Sequence, residues 1–164
     1  MELINNGHIA LIDVPVLTVK EFRSEVLRRC YDGSRLMNLF GSLEGEKDVR
    51  LFALLGMEEE PRLQILSTVI PGEHPQYESL TKDLTVAHYF EREIAEQWAV
   101  FPQGHPWLKP LRYHRNYRGG DDIWPHIKEK IIPGEYPFYR VEGNEVHEVG
   151  VGPVHAGIIE PGHF

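Results

Sequence analysis

Hydrophobic and polar positions in the first hundred residues fall into segments with recognisable periods. A mostly apolar stretch from His8 to Val16, containing Ile9-Ala10-Leu11-Ile12-Asp13-Val14, suits a strand, and Pro15 places it at an edge or ends it. Thr18 then reads as a helix cap, because Glu21 stands three residues on to return the bond and Leu17 is placed to pack against Phe22 as a hydrophobic staple. Val19, Phe22, Val26, Leu27 and Cys30 recur at spacings of three and four. That spacing predicts one buried stripe, with Lys20, Arg23, Arg28 and Arg29 outside or flanking it and Gly33 as the stop.

Three strand candidates follow, Arg35 to Leu43, Asp48 to Met57 and Arg62 to Ile70, separated by Glu44-Gly45-Glu46-Lys47 and Glu58-Glu59-Glu60-Pro61. A meander is the economical arrangement. Val49, Leu51, Ala53 and Leu55 form one wholly apolar face, Arg50, Phe52 and Leu54 a mostly apolar one, and Leu63, Ile65 and Val69 share a face in the next strand. Such a sheet needs helical cover. A second helix between about Thr81 and Trp98 supplies it, with Ala87, Phe90, Ile94, Trp98 and then Phe101 recurring at three and four. The expected fold is α+β: two layers, a mainly antiparallel sheet of about four strands and two main helices.

The chain changes character after Glu96, where eight of the 12 prolines and nine of the 15 glycines lie. No later stretch supports a helix, so an extended Pro/Gly/aromatic-rich C-terminal tail is expected. It carries Trp107, Trp124, Tyr113, Tyr117, Tyr136, Phe138 and Tyr139, an aromatic density foreign to a disordered linker. The tail is therefore expected to lay its rings on its own domain or on another subunit.

Composition narrows the classes. With 164 residues, 41% hydrophobic and 26% charged, the chain has the profile of one soluble globular domain. Seventeen Lys and Arg against 25 Asp and Glu give a net charge of −8, so no net field attracts a polyanion and no nucleic-acid partner is expected. One cysteine, Cys30, excludes an internal disulfide, a cysteine-based zinc site or an iron–sulfur cluster held by this chain alone, and suits a reducing compartment. On the buried stripe it behaves as an inert small hydrophobe. No run approaches the roughly 18 apolar residues of a membrane span, and Glu2 in place of a basic start argues against a signal peptide, so a cytoplasmic location is expected.

No familiar catalytic signature is present. His147, His155 and His163 are spaced by eight, which is neither a helical pair nor a zinc spacing, while His74 and His105 each precede proline and suit structural turns. There is no Gly-x-Ser-x-Gly, and neither Gly119-Gly120 nor Gly150-Val151-Gly152 has the context of a phosphate loop or dinucleotide site. The cluster Glu91, Glu93 and Glu96 beside Arg92 reads, on spacing alone, as a solvated helix face with an i, i+4 pair worth a few tenths of a kcal/mol.

The segment Tyr89-Phe90-Glu91-Arg92-Glu93-Ile94-Ala95-Glu96-Gln97-Trp98-Ala99-Val100-Phe101-Pro102-Gln103-Gly104-His105-Pro106-Trp107-Leu108 resembles the signature of the 30-kilodalton subunit family of respiratory complex I, the NADH dehydrogenase. Glu91, Arg92, Glu93, Glu96, Trp98, Gly104, His105, Pro106 and Leu108 fall on that pattern. Ala99 stands where glycine is usual, Glu96 where aspartate is usual, and Trp107 and Pro110 replace polar or basic residues, which fits a divergent branch. The final stretch, His147 to Phe164, resembles the amino-terminal start of the large subunit of membrane-bound group 4 nickel–iron hydrogenases. In formate hydrogenlyase and related complexes the two families occur fused in this order. The resemblance puts Glu160 in the place of a glutamate that takes part in proton transfer near the nickel.

Nickel and iron are held there by two Cys-x-x-Cys pairs, and this chain has Cys30 alone. Ending within a motif at Phe164, the chain is expected to be cut just inside a catalytic region. The resemblance implies a domain over residues 1–108, a docking tail over 109–146 and the beginning of a large-subunit-like region over 147–164. It implies a non-catalytic scaffold of a hydrogenase or NADH dehydrogenase-like electron-transfer complex, peripheral to the inner membrane through its partners. Those partners are a large catalytic subunit, contacted by Glu91, Arg92, Glu93, Glu96, Trp98, Gly104, His105 and Pro106, and an iron–sulfur subunit. The nickel–iron centre and iron–sulfur clusters are expected in partner regions and no cofactor in this chain. Two other classes remain open: a metal-dependent enzyme using His114, His126 and His147 with a carboxylate, and an unrelated protein-interaction module. Elemental analysis separates the first of these: untagged protein is expected to contain no stoichiometric zinc, nickel or iron.

Overall fold

A computed structural model of the chain describes residues 2–4, 7–57, 62–120, 122–124, 142–147, 150–151 and 162–163. Two helices and an open sheet account for most of it. The principal sheet runs β1 (Glu2–Ile4), β5 (Arg62–Ile70), β4 (Asp48–Gly56), β3 (Arg35–Glu44), with β2 (Val16–Leu17) added along β5. β3, β4 and β5 form the expected antiparallel meander, in which Leu51 faces Gly41 and Thr68 in the two neighbouring ladders. The sheet has five strands rather than about four, and the fifth, β2, pairs with β5 in parallel.

Both helices cover one face. Helix α1 (Val19–Tyr31) starts with the expected capping box: Glu21 N–H donates to Thr18 Oγ1, and Thr18 N–H donates to the Glu21 carboxylate at 3.0 Å. It ends beside Gly33, whose φ of 98° is open to glycine and costly for other residues. Phe22 and Val26 of α1 and Ile94 of α2 (His88–Trp98) join Val49, Leu51, Ala53, Leu55, Leu66 and Ile70 in one buried cluster. Cys30 packs against that cluster, and burial pushes its thiol up, as befits a structural cysteine. Where α2 crosses β3, Trp98 lies against Gly41, and a Cβ built there would meet the indole Cδ1 at 2.6 Å.

The opposite face holds a difference from the expected strand at His8 to Val16. That segment contains a short 3-10 turn, Leu11–Asp13, before β2. The turn closes on the Ala10 and Leu11 carbonyls, and those of Val14 and Pro15 are taken by side chains instead of a ladder. Arg50, buried on this face, donates to the Val14 carbonyl at 2.7 Å and to Ser67 Oγ, while Ser67 Oγ donates to the Pro15 carbonyl at 2.8 Å. The guanidinium also lies 5.0 Å from the Phe52 ring centre, and Phe52 stacks on Phe40. A buried cation without such partners would be expensive, so Arg50 binds the amino-terminal crossing to the sheet.

The second predicted helix is shorter than expected, because a 3-10 turn, Thr85–Ala87, precedes α2 and Phe101 lies beyond it in β7 (Phe101–Gln103). β6 (Gln76–Glu78) pairs in parallel with β7, so α2 is the crossover between them. A short pair, β8 (Gly150–Val151) with β9 (Gly162–His163), completes the described elements. Among the described residues no helix is long and apolar enough to cross a membrane.

The described tail residues up to Trp124 pack on this same domain. Ile123 and Trp124 are buried with Ala95 and Ala99 of the α2 end, and Leu108 packs against them. Tyr117 N–H donates to the Gln97 carbonyl at 2.7 Å, and Arg118 reaches the carbonyls of Lys47 and Gly72. Residues 125–141, with Tyr136, Phe138 and Tyr139, lie outside the described set. Gly41→Ala, which forces the indole of Trp98 to move, is expected to lower stability by about 1–3 kcal/mol in urea unfolding, as overpacking does.

Candidate functional site

The charged end of α2 faces inward. Its expected solvated face is corrected by burial: Glu91, Arg92 and Glu96 are 0%, 6% and 1% exposed. Each buried charge is matched by polar groups of a segment that lacks regular structure. The Glu91 carboxylate closes the turn after β6, accepting from Ser79 Oγ at 2.5 Å, Leu80 N–H at 2.7 Å, Thr81 N–H at 3.1 Å and Thr81 Oγ1 at 2.6 Å. Burial, and then this neighbouring carboxylate, push the Tyr77 phenol well up.

Arg92 and Glu96 are four apart and so share a helix face, and they divide the backbone of the next segment between them. Arg92 donates from Nε to the Lys109 carbonyl at 2.7 Å and from its second terminal nitrogen to the Pro110 carbonyl at 2.8 Å. Glu96 accepts from the following two amides, Leu111 at 3.0 Å and Arg112 at 2.8 Å. Glu93, half-buried, pairs with the Arg112 side chain at 2.8 Å. Two consecutive carbonyls thus meet the cation, and two consecutive amides meet the anion.

Between these clamps runs the loop carrying Gly104, His105 and Pro106. Gly104 has φ 74°, a backbone conformation that calls for glycine, and the flexible end of the Lys82 side chain lies where a Cβ would stand. Ala99 also occupies the left-handed region, φ 50° and ψ 39° at the C-cap of α2. Glycine suits that conformation best, which gives a physical reason for its usual presence at this place in the signature. Trp98 is half-buried, with Tyr117 edge-on at 5.9 Å.

Four residues of the site are not among those matched to the signature: His88 and Lys109, which flank its segment, and Tyr89 and Trp107 within it. His88 stacks on His105 at 5.0 Å and under Trp107 at 5.8 Å, and the Arg92 guanidinium lies 5.0 Å from Trp107 and 5.5 Å from Tyr89. Lys109 Nζ is 5.3 Å from the Trp107 ring centre. Tyr89 and Trp107 remain 63% and 53% exposed, so the outer surface is aromatic while the charges beneath it are buried. The four-residue spacing of His88 and Arg92 was the available signal. Burial pulls the Arg92 guanidinium below its ordinary value.

Glu160 lies outside the described residues, as does His126. His114 turns its Nδ1 to the Arg115 carbonyl at 2.7 Å, and His147 is exposed. Among the described residues no group of three or more His, Cys, Asp or Glu side chains is placed to hold a metal ion.

Fold and site together define an α+β domain in which one helix end organises an irregular loop and gives it an aromatic outer surface. Residues 18–132 match the family described as respiratory-chain NADH dehydrogenase, 30 Kd subunit, and the chain belongs to that family. It is also similar to formate hydrogenlyase subunit 5 of Escherichia coli (strain K12), 26% identical over 169 residues, covering 93% of this chain. The chain spans 29% of the length of that relative. A solved structure described as Nqo5 of the trypsin-resistant fragment (1-134) aligns over 57% of this chain and 80% of its own, with 21% identity and a TM-score of 0.47.

Removing the Glu91 carboxylate leaves the Leu80 amide and the Ser79 and Thr81 hydroxyls without their acceptor, and the Thr81 amide with Ser79 Oγ alone. Glu91→Ala is therefore expected to cost at least about 3 kcal/mol in urea unfolding, since bonds to a charged group are worth about 1.5–3 kcal/mol each.

Proposed function

We propose that this chain is a non-catalytic scaffold domain of a hydrogenase or NADH dehydrogenase-like electron-transfer complex, docking on the large catalytic subunit through the loop that α2 organises. The observation that carries the reading is the combination of buried Glu91, Arg92 and Glu96 with exposed Tyr89 and Trp107. Large aromatic side chains held in place lose little freedom on binding, and such residues dominate protein interfaces. Arg92 and Glu96 then act at one remove, by fixing the Lys109–Arg112 backbone, whereas Tyr89, Trp107, Pro106 and the Glu93–Arg112 pair supply contact.

Membership of the 30 Kd subunit family supports an assembly role, and the similarity to a formate hydrogenlyase subunit supports a hydrogenase-type partner. In this proposal the large-subunit-like stretch from His147 continues into the partner region, Glu160 takes part in proton transfer only there, and the electron path is completed by an iron–sulfur subunit. Nickel–iron and iron–sulfur centres belong to those partners, which also provide attachment to the inner membrane on its cytoplasmic side. A single thiol, half-buried at Cys30, does not meet the ligand needs of either centre.

Coexpression with a hydrogenase-like large subunit tests this. Trp107→Ala and Tyr89→Ala are expected to weaken co-purification by tenfold or more, about 1.4 kcal/mol, with the isolated chain still folded and destabilised by no more than about 1 kcal/mol for the lost ring contacts. Arg92→Ala and His105→Ala are expected to weaken it as well by releasing the loop. Retention of all four variants at the wild-type level refutes the docking assignment.

A further inference from the structure

The two imidazoles under Trp107 are constrained in a way that docking does not require. Arg92 has only donors, so where its terminal nitrogen lies 3.3 Å from His88 Nε2 that ring nitrogen must accept, and His88 carries its proton on Nδ1. Trp107 N–H donates to His105 Nδ1 at 3.1 Å, which leaves the His105 proton on Nε2, 3.3 Å from the His88 carbonyl. Each ring must therefore be neutral to accept its bond, whereas the His105 Nε2–H bond to the His88 carbonyl is made in either state. A proton on His88 removes one of the three acceptors of Arg92, the other two being the Lys109 and Pro110 carbonyls, and sets two cations together, and a proton on His105 removes the acceptor for the Trp107 amide. We propose that His88 and His105 form a proton-operated latch, closed when both rings are neutral, that holds the Gly104–Pro110 loop against α2.

The surroundings favour the neutral rings. His88 is the first residue of α2, at the positive end of the helix, with Arg92 and Tyr89 on the same helix. His105 stacks on it from the loop, Lys109 lies over Trp107, and Lys82 of the segment before the helix lies against Gly104. Glu91 is the opposing charge and its two oxygens already accept four bonds. Arg92 in turn feels Glu96 and Tyr113. Burial first, and for His88 then the Arg92 charge, hold both imidazoles below the ordinary value of 6.5. With both groups depressed in the closed state, the latch contributes fully above the ordinary histidine range and is lost as pH falls through the depressed values.

Opening loosens Trp107 and the His105–Pro106 turn while Arg92 keeps the Lys109 and Pro110 carbonyls, so large-subunit docking becomes acid-sensitive; that consequence rests on the proposed function, whereas the latch itself does not. The test uses the 164-residue chain alone, following both imidazoles by NMR and hydrogen exchange at the Trp107 amide between about pH 8 and about pH 5, the span in which histidine titrates. Both rings are expected to titrate below histidines of the unfolded chain. Opening, measured as Trp107 exchange relative to its intrinsic rate, is expected to rise by up to about tenfold per pH unit for each proton taken up. His88→Gln, which keeps an acceptor for Arg92, is expected to keep the loop protected at high pH and to flatten its acid response. Ordinary titration of both rings, or exchange that follows the intrinsic rate throughout, overturns the latch. Those wild-type readouts decide the matter even where the variant fails to fold. Loss of partner binding in Trp107→Ala at high pH reports on docking alone.

Discussion

Everything distinctive about this domain depends on matching buried charge to backbone that has no ladder of its own. An irregular segment leaves carbonyls and amides unpaired, and a buried guanidinium or carboxylate loses its water; each is costly in isolation. Placed together, they satisfy one another. Arg92 takes the Lys109 and Pro110 carbonyls and Glu96 the Leu111 and Arg112 amides, while Glu91 closes the turn at Ser79–Thr81. One helix thereby positions segments on both sides of it.

The same device holds the other face. Arg50 is flanked in sequence by Val49 and Leu51, yet its partners are the Val14 carbonyl and Ser67, and through Ser67 the Pro15 carbonyl. An amino-terminal crossing that contributes only the two-residue β2 to the sheet is thus tied to it by a side chain from β4. The sheet itself rests on ordinary packing of Phe22, Val26 and Ile94 over Leu51, Ala53 and Leu55.

For a protein that works within an assembly, this division of labour has a consequence. The charged residues of the family signature, Glu91, Arg92 and Glu96, are interior, and the surface they support is made by neighbours such as Tyr89 and Trp107. Contact chemistry can then change while the internal clamp is kept. The imidazole pair introduces a proton-dependent element into that clamp because the bonds from Arg92 to His88 and from the Trp107 amide to His105 require neutral rings, with the Arg92 cation alongside.

Local rules were enough for several elements. The Thr18–Glu21 box, the α1 stripe and the three long strands depend on spacings of three, four and two along a continuous stretch, and those spacings are visible without any long-range contact. They establish two helices against a meander. The strand expected at His8 to Val16 failed because an apolar run implies neither burial nor a ladder: Leu11, Ile12 and Val16 stay exposed, only Val14 is buried, and Arg50 and Ser67 take the Val14 and Pro15 carbonyls. Arg92 and Glu96 read as exposed for a related reason: charge and i, i+4 spacing describe a helix face, but burial is decided by the segment that lies on it. That segment begins at Leu108, beyond the helix, and only tertiary structure brings its unpaired peptides to the helix that needs them.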